Sequence, residues 1–336
     1  MENNPLVSVI MPLYNAALYV EEAVKSVINQ TYPYWELIIV DDGSTDNSLE
    51  IANGFCDDRI KVLSQKNSGA CVARNKALFL ATGEFVKFLD ADDVLFAECL
   101  AQQVPQILQL AGHQIPFGDY DFIDKESKLL FEYSFDLSEE LYANQPYFFS
   151  KHWEVITSSP LHRKELLISI DGFDETLPRG QESDLHLRLA LSDVEFIYFP
   201  TRTYCYRSHQ SASRISSGSK KRKTYQEQLY FETRFLKLER LLIAKYNIVP
   251  EIYHAMFFKF WFSWARKSFA NYHKDKGLQA LNKASKYVKK NRAFKLYNVL
   301  GSIIGFVNLE RIFQLRLKLI KKENSQEIVR GTAQYI

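Results

Sequence analysis

Short apolar runs alternate with amphipathic stretches in the first third of the chain. Val7-Ser8-Val9-Ile10-Met11 reads as a strand, stopped by Pro12 and a Tyr14-Asn15 turn. From Leu18 to Ile28, apolar Leu18, Val20, Ala23, Val24, Val27 and Ile28 recur at helical spacing among Glu21, Glu22 and Lys25. Tyr32-Pro33 ends that helix. Glu36 to Val40 is a second strand running into Asp41-Asp42-Gly43-Ser44, and Thr45 or Asp46 is suited to cap the helix that follows. Arg59 to Leu63 gives a third strand, and Asn67-Ser68-Gly69 turns into a helix over 70–81. The fourth strand, Glu84 to Leu89, is apolar and aromatic with a single Lys, and it ends in Asp90-Ala91-Asp92-Asp93. This alternation predicts an α/β fold with a parallel, doubly wound sheet.

Beyond a helix expected from Leu95 to Leu110 the pattern loosens. Residues 114–160 read as antiparallel strands and loops. A short helix over Arg163 to Ile168, a turn at Asp171 to Asp174, a helix from Glu182 to Leu191 and strands at Val194 to Phe199 and Thr203 to Arg207 follow. Polar, Gly- and Ser-containing Ser211 to Ser219 suggests a linker. The expected division is a domain over 1–215 and a mostly helical region over 216–336. No internal repeat is present.

Charge sharpens that division. The net charge is only +2, yet 25 Lys and Arg against 8 Asp and Glu follow Ser219, while 17 against 32 precede it. Aromatic and basic residues mix from Phe257 to Lys267, and Leu or Ile alternates with Arg or Lys from Arg311 to Lys322. Such a face over 220–322 suits an anionic membrane surface. A helical appendage packed on the first domain is the plain alternative, and a nucleic-acid footprint, which we do not expect, is a third. Neither a basic leader nor an apolar run of about 18 residues is present, so no signal peptide or membrane span is expected. Cys56, Cys71, Cys99 and Cys205 are scattered, as free thiols of a reducing compartment would be. The expected location is cytoplasmic, peripheral on the inner face of the cell membrane.

The candidate chemistry sits at strand ends. Three carboxylates in four residues repel one another, and a hard cation such as Mg²⁺ or Mn²⁺ would compensate Asp90 and Asp92. The bland reading is a solvated turn capping a helix. Asp42 is placed to accept hydrogen bonds from a nucleoside beside the first strand end, although an acid there also caps helices. Arg74, near the start of its helix, can bind a diphosphate or pin the acidic pair, or merely pack.

Five strings in order resemble the family 2 inverting nucleotide-sugar glycosyltransferases. They are Ser8 to Asn15, Gln30-Thr31-Tyr32, Asp41 to Asp46, Gly69 through Ala73-Arg74-Asn75, and Asp90 to Asp93. The resemblance covers residues 6 to about 210 and implies a GT-A fold. It implies that Pro12 and Tyr14 flank the nucleobase, that Asp42 contacts uracil or ribose, and that Arg74 approaches base and diphosphate. Asp90 would meet the ribose or the metal's surroundings, and Asp92 the metal itself. Gly180-Gln181-Glu182-Ser183-Asp184-Leu185-His186-Leu187-Arg188 falls on the segment of the catalytic base. Glu182 takes that position where many relatives carry Asp, with Asp184 in reserve. His209 resembles a histidine that completes the metal or diphosphate site when a loop closes. The implied activity is transfer of one hexose or N-acetylhexosamine from a UDP-sugar to a cell-envelope or capsular saccharide, free or lipid-linked. The processive members' Gln-x-x-Arg-Trp string is absent.

Two other classes remain open on sequence. Phe88 to Leu95 also resembles the nucleophile motif of haloacid-dehalogenase phosphatases, although that motif belongs on a first strand and three strands precede it here. A non-catalytic, membrane-associated module that keeps the nucleotide pocket is the other. A nicotinamide dehydrogenase is not expected, since no G-x-G-x-x-G follows any strand.

Overall fold

The computed structural model describes residues 4–135, 144–151, 155–209, 225–271, 273–288 and 292–312. The chain forms two compact units, Met1–Arg222 and Lys223–Ile336.

The first unit holds two sheets. Strands β1 (Val7–Leu13), β2 (Trp35–Asp41), β3 (Ile60–Ser64) and β4 (Phe85–Phe88) are mutually parallel, and short β8 (His162–Arg163) closes the sheet antiparallel, in the order β3-β2-β1-β4-β8. Both faces of β1 and β2 are covered, so their residues form a near-continuous apolar run with Val9, Ile10, Leu37, Ile38 and Ile39 fully buried. Helices α1 (Val20–Ile28), α2 (Ser48–Asn53) and α3 (Ala70–Leu80) are the crossovers. Helix α1 starts two residues later than the spacing suggests, and Leu18 is 86% exposed ahead of it. Helix α2 starts at Ser48, not at 45 or 46. Asp46 instead accepts the Ser48 amide at 3.0 Å and the Ala17 amide at 3.1 Å, which locks the preceding turn.

The second sheet is less regular. Strand β5 (Val94–Leu95) pairs antiparallel with β9 (Glu195–Arg207), which delays helix α4 (Cys99–Gln109) to four residues past its expected start. Strand β6 (Gln114–Ile123) pairs antiparallel with β7 (Leu129–Tyr133), as expected of 114–160, but parallel with β9. The sheet order is β5-β9-β6-β7. The two strands expected over 194–207 are one. Pro200 falls where the β6–β9 register slips, and a proline is tolerated at such an irregularity because no ladder donor is needed there. Gly118 sits opposite, and a Cβ there would lie 2.3 Å from the Thr201 carbonyl oxygen. Helices α5 (Gln145–Lys151), α6 (Lys164–Ser169) and α7 (Gln181–Leu191) complete the unit.

The second unit is helical over α8 (Tyr225–Tyr246), α9 (Glu251–Ala270), α10 (Lys274–Ser285) and α11 (Arg292–Ile304). The aromatic run from Phe257 to Lys267 is divided between buried and half-buried rings. Phe257 and Trp261 are fully buried and Trp264 is 6% exposed, so these three belong to the unit's own core, while Phe258, Phe260 and Phe262 are half-buried. Lys283 places its ammonium 4.1 Å from the centre of the Trp261 ring. Buried Glu310 accepts from Arg266 at 2.6 Å and from the Tyr297 hydroxyl at 2.9 Å. Exposed apolar surface is aliphatic instead, at Leu296, Val299, Ile304 and Ile312. Among the described residues no helix is long and apolar enough to cross a membrane. The expected linker 211–219, the basic opening 220–223 and the run 313–322 lie outside the described residues.

Candidate active site

A cavity of about 490 Å³ opens at the carboxyl ends of β1, β2 and β4. It lies in the crevice where ligands enter open α/β sheets. Pro12, Tyr14 and Asp42 line one part, Arg74, Asp90 and Asp92 another, and Glu182 and His209 close it.

Asp42 follows β2 and is only 4% exposed. One carboxylate oxygen accepts the Ser68 amide at 2.7 Å and the Gln65 side-chain amide at 2.9 Å, and the other accepts the Gly69 amide at 2.8 Å. The carboxylate thus fixes the loop that starts α3. Neighbouring Asp41 turns inward and accepts the Gly43 amide at 3.2 Å.

Arg74 is buried, with its guanidinium 5.2 Å from the centre of the Phe173 ring. One terminal nitrogen donates to Asp90 at 2.6 Å and the other to the Gln181 side-chain oxygen at 2.8 Å. Burial opposes its charge, but Asp90 overcomes that and raises its pKa. Arg74 therefore ties the acidic strand end to the helix that carries Glu182. Arg74 also lines the cavity.

The acidic loop offers three ligands, not two. Asp90, Asp92 and Asp93 each present a carboxylate oxygen, and these oxygens lie within 4.8 Å of one another. An all-carboxylate set has the hard-oxygen character that Mg²⁺ or Mn²⁺ takes, so the residues fit such an ion. His209 places Nε2 2.9 Å from an Asp92 oxygen, and its ring packs 4.6 Å from that of Tyr19.

Arg207 holds this loop in place, a role that its sequence position two residues before His209 did not reveal. It is fully buried. Its backbone amide donates to Asp93 at 2.9 Å, and its Nε to the Asp92 carbonyl at 2.9 Å. The terminal nitrogens donate to Ser127 at 2.8 Å and to Glu22 at 2.7 Å.

Glu182 is the second residue of α7, after Gly180, whose φ of 61° is in the left-handed region that glycine adopts freely. Asp184 is elsewhere. It is buried, lies outside the cavity lining, and accepts from Arg188 at 2.7 Å. Arg188 in turn donates to the carbonyls of Ile170 and Gly172, both at 2.7 Å, so this pair anchors the helix rather than facing a substrate. The same anchoring comes from Asn75, which donates to the Phe173 carbonyl and accepts the Phe173 amide, both at 2.8 Å.

Residues 8–160 match the family model described as glycosyl transferase family 2. Over 230 residues the chain is 31% identical to the putative colanic acid biosynthesis glycosyl transferase WcaA of Escherichia coli (strain K12), which spans 66% of this chain and 79% of that protein. The chain belongs to glycosyl transferase family 2. The family's GT-A fold is that of Staphylococcus aureus TarS 1–349 in complex with UDP-GlcNAc, which superposes at a TM-score of 0.63 with 21% identity over 84% of this chain and 82% of that one. Among family 2 proteins, the putative teichuronic acid biosynthesis glycosyltransferase TuaG of Bacillus subtilis (strain 168) is 49% identical over 108 residues, 31% of this chain and 43% of TuaG. The UDP-Glc:alpha-D-GlcNAc-diphosphoundecaprenol beta-1,3-glucosyltransferase WfgD of Escherichia coli is 42% identical over 123 residues, 36% of this chain and 48% of WfgD. The chain thus spans about half the length of these two family 2 relatives.

Proposed function

We propose that this family 2 protein moves a single hexose or N-acetylhexosamine from a UDP-sugar to a hydroxyl of a cell-envelope saccharide, inverting the anomeric configuration. One observation carries the reading: Glu182 and the carboxylates of Asp90 and Asp92 line the same cavity. Pro12, Tyr14 and Asp42 would hold the nucleoside. Glu182 would take the proton of the acceptor hydroxyl, whose oxygen attacks the anomeric carbon while the bond to the diphosphate breaks. Asp90 and Asp92, with Asp93 beside them and His209 at the rim, would hold a divalent cation, which when bound stabilises negative charge on the leaving nucleoside diphosphate. His209, pressed on Tyr19, would help keep water from the donor. Asp184 anchors the helix and is not our base.

A screen of sugar nucleotides and saccharide acceptors with Mn²⁺ tests this. Asp92→Ala should lose donor turnover. Glu182→Gln should still bind UDP-sugar while transfer falls by about 10²–10⁴-fold. Wild-type protein that binds UDP-sugar but turns none over would favour the binding module. Phosphate release from a phosphomonoester alone would favour the phosphatase, whose motif belongs on a first strand and here ends the fourth.

For the second unit we propose peripheral association with an anionic membrane at its cytoplasmic face. The exposed aliphatic residues Leu296 and Val299 of α11, beside exposed Lys295, support it. Leu296→Glu with Val299→Glu should reduce sedimentation with phosphatidylglycerol vesicles several-fold, and undiminished sedimentation would refute it.

A further inference from the structure

We propose that a row of aromatic rings across the second sheet is a subsite for the saccharide chain of the acceptor, leading into the transfer cavity. The inference rests on the glycosyltransferase reading above and adds where the acceptor lies.

The pairing puts Phe131 of β7 opposite Phe122 of β6, and Phe122 opposite Tyr206 of β9. Cross-strand partners share a face, so the three side chains form one row. The Phe122 and Phe131 rings stack with centres 4.3 Å apart, and Phe122 meets Tyr206 edge-on at 5.2 Å. At the inner end Tyr206 lines the cavity that also holds Asp92 and Glu182. At the outer end Phe131 is 51% exposed on the sheet edge. Two strand spacings separate the ends, about 10 Å.

The row two residues inward is a contrast. Tyr133, Tyr120 and Tyr204 occupy the same face in the same register, with Tyr120 and Tyr204 stacked at 5.1 Å, and these two are 2% and 0% exposed. The inner row makes the core. Phe122 and Tyr206 of the outer row keep partial access to solvent. Packing of the sheet does not require a phenylalanine at an edge position half open to water, and exposed apolar surface continuous with a cleft commonly marks a ligand groove.

The occupant follows from the chemistry. A lipid chain or a protein helix would be met by aliphatic side chains on a broad face. Here the row, although Leu129 and Leu130 are exposed beside Phe131, is aromatic and leads into a cavity lined by Asp92 and Glu182, which suits a hydroxylated chain and not a lipid tail or an apolar helix. A pyranose has C–H bonds on its faces and hydroxyls on its rim, so flat rings take the faces and flanking polar groups the rim. Ser127, in the turn between β6 and β7, hydrogen-bonds to Glu22 at 2.8 Å and puts polar groups at that end of the strands. The line ends at Glu182, where the acceptor hydroxyl must be deprotonated.

The test uses the full chain with Mn²⁺ and UDP, titrated by calorimetry with β-linked N-acetylglucosamine and glucose oligosaccharides of one to four units. Wild-type affinity should rise at least tenfold between one and three units in at least one series. Phe131→Ala should remove most of that rise, Phe131→Trp should restore it, and Leu130→Ala, an exposed apolar neighbour outside the row, should leave it unchanged. Phe131 is exposed, so its loss should not unfold the protein, and UDP binding should be equal in all four. Failure of every form to bind UDP would overturn the glycosyltransferase reading itself. Normal UDP binding without a length effect, or with one that Phe131→Ala preserves, overturns the subsite alone. So would a change in vesicle binding or oligomeric state on Phe131→Ala in place of a saccharide effect, since the ring would then serve a lipid or a second chain.

Discussion

In the five-stranded sheet the carboxylates sit at strand ends; in the four-stranded sheet aromatic rings run across the strands. The first arrangement presents carboxylates, Asp42, Asp90 and Asp92, to one crevice. The second presents rings, from Phe131 to Tyr206. Under the proposed reading, the carboxylates would hold a cation against the two phosphates of the donor. Ring faces suit a neutral sugar chain. Arg207 is where the two meet, because it ends β9 and grips the acidic loop through Asp92 and Asp93.

That junction is the most sensitive place to break the contrast. Arg207→Met removes the side-chain bonds to the Asp92 carbonyl, Ser127 and Glu22 in one change. It should cost about 2–4 kcal/mol, read as a lowered urea midpoint. It should also weaken Mn²⁺ binding measured by electron paramagnetic resonance with UDP present, and Arg207→Lys should recover part of the stability. Equal Mn²⁺ binding in Arg207→Met would uncouple the sheets.

A smaller effect separates the core of the first sheet from its rim. His162 and His186 are buried with their rings 5.9 Å apart. Burial pushes His186 down to about 3, and burial together with His186 holds His162 well below its ordinary value of 6.5. Both stay neutral when folded, whereas the unfolded chain takes up protons below about pH 6.5. The stability they allow is therefore complete above that pH and falls as pH drops below it, by up to about 1.4 kcal/mol per pH unit for each histidine. The melting temperature should fall from pH 6.5 to 5, and His186→Phe should flatten the slope. An unchanged slope in that variant would assign the acid sensitivity to other groups.

That Asp42, Asp90 and Asp92 gather at one crevice was legible because their strings are contiguous and lie where a buried parallel strand meets solvent. Asp41-Asp42-Gly43-Ser44 and Asp90-Ala91-Asp92-Asp93 carry their meaning within four residues. The second sheet was not legible, since its meaning lies in pairings between β6 and β9, some 80 positions apart, and in a register slip at Pro200 that makes one strand look like two. Asp184 misled for a related reason. Beside Glu182 in sequence it shares the pattern of a helix-opening acid, but the helical turn points it at Arg188 and not at the cleft. The aromatic run of α9 was legible only as composition, which does not say which way a ring faces. Packing turned Phe257 and Trp261 inward.

Asp42 has a thermodynamic consequence. Both its oxygens already hold backbone amides of the 68–69 turn. That segment is immobilised before any nucleotide arrives, so its conformational entropy was lost during folding and not at each encounter. Association is then opposed mainly by the ligand's own loss of freedom, and an incoming nucleoside meets a wall that has nothing left to rearrange.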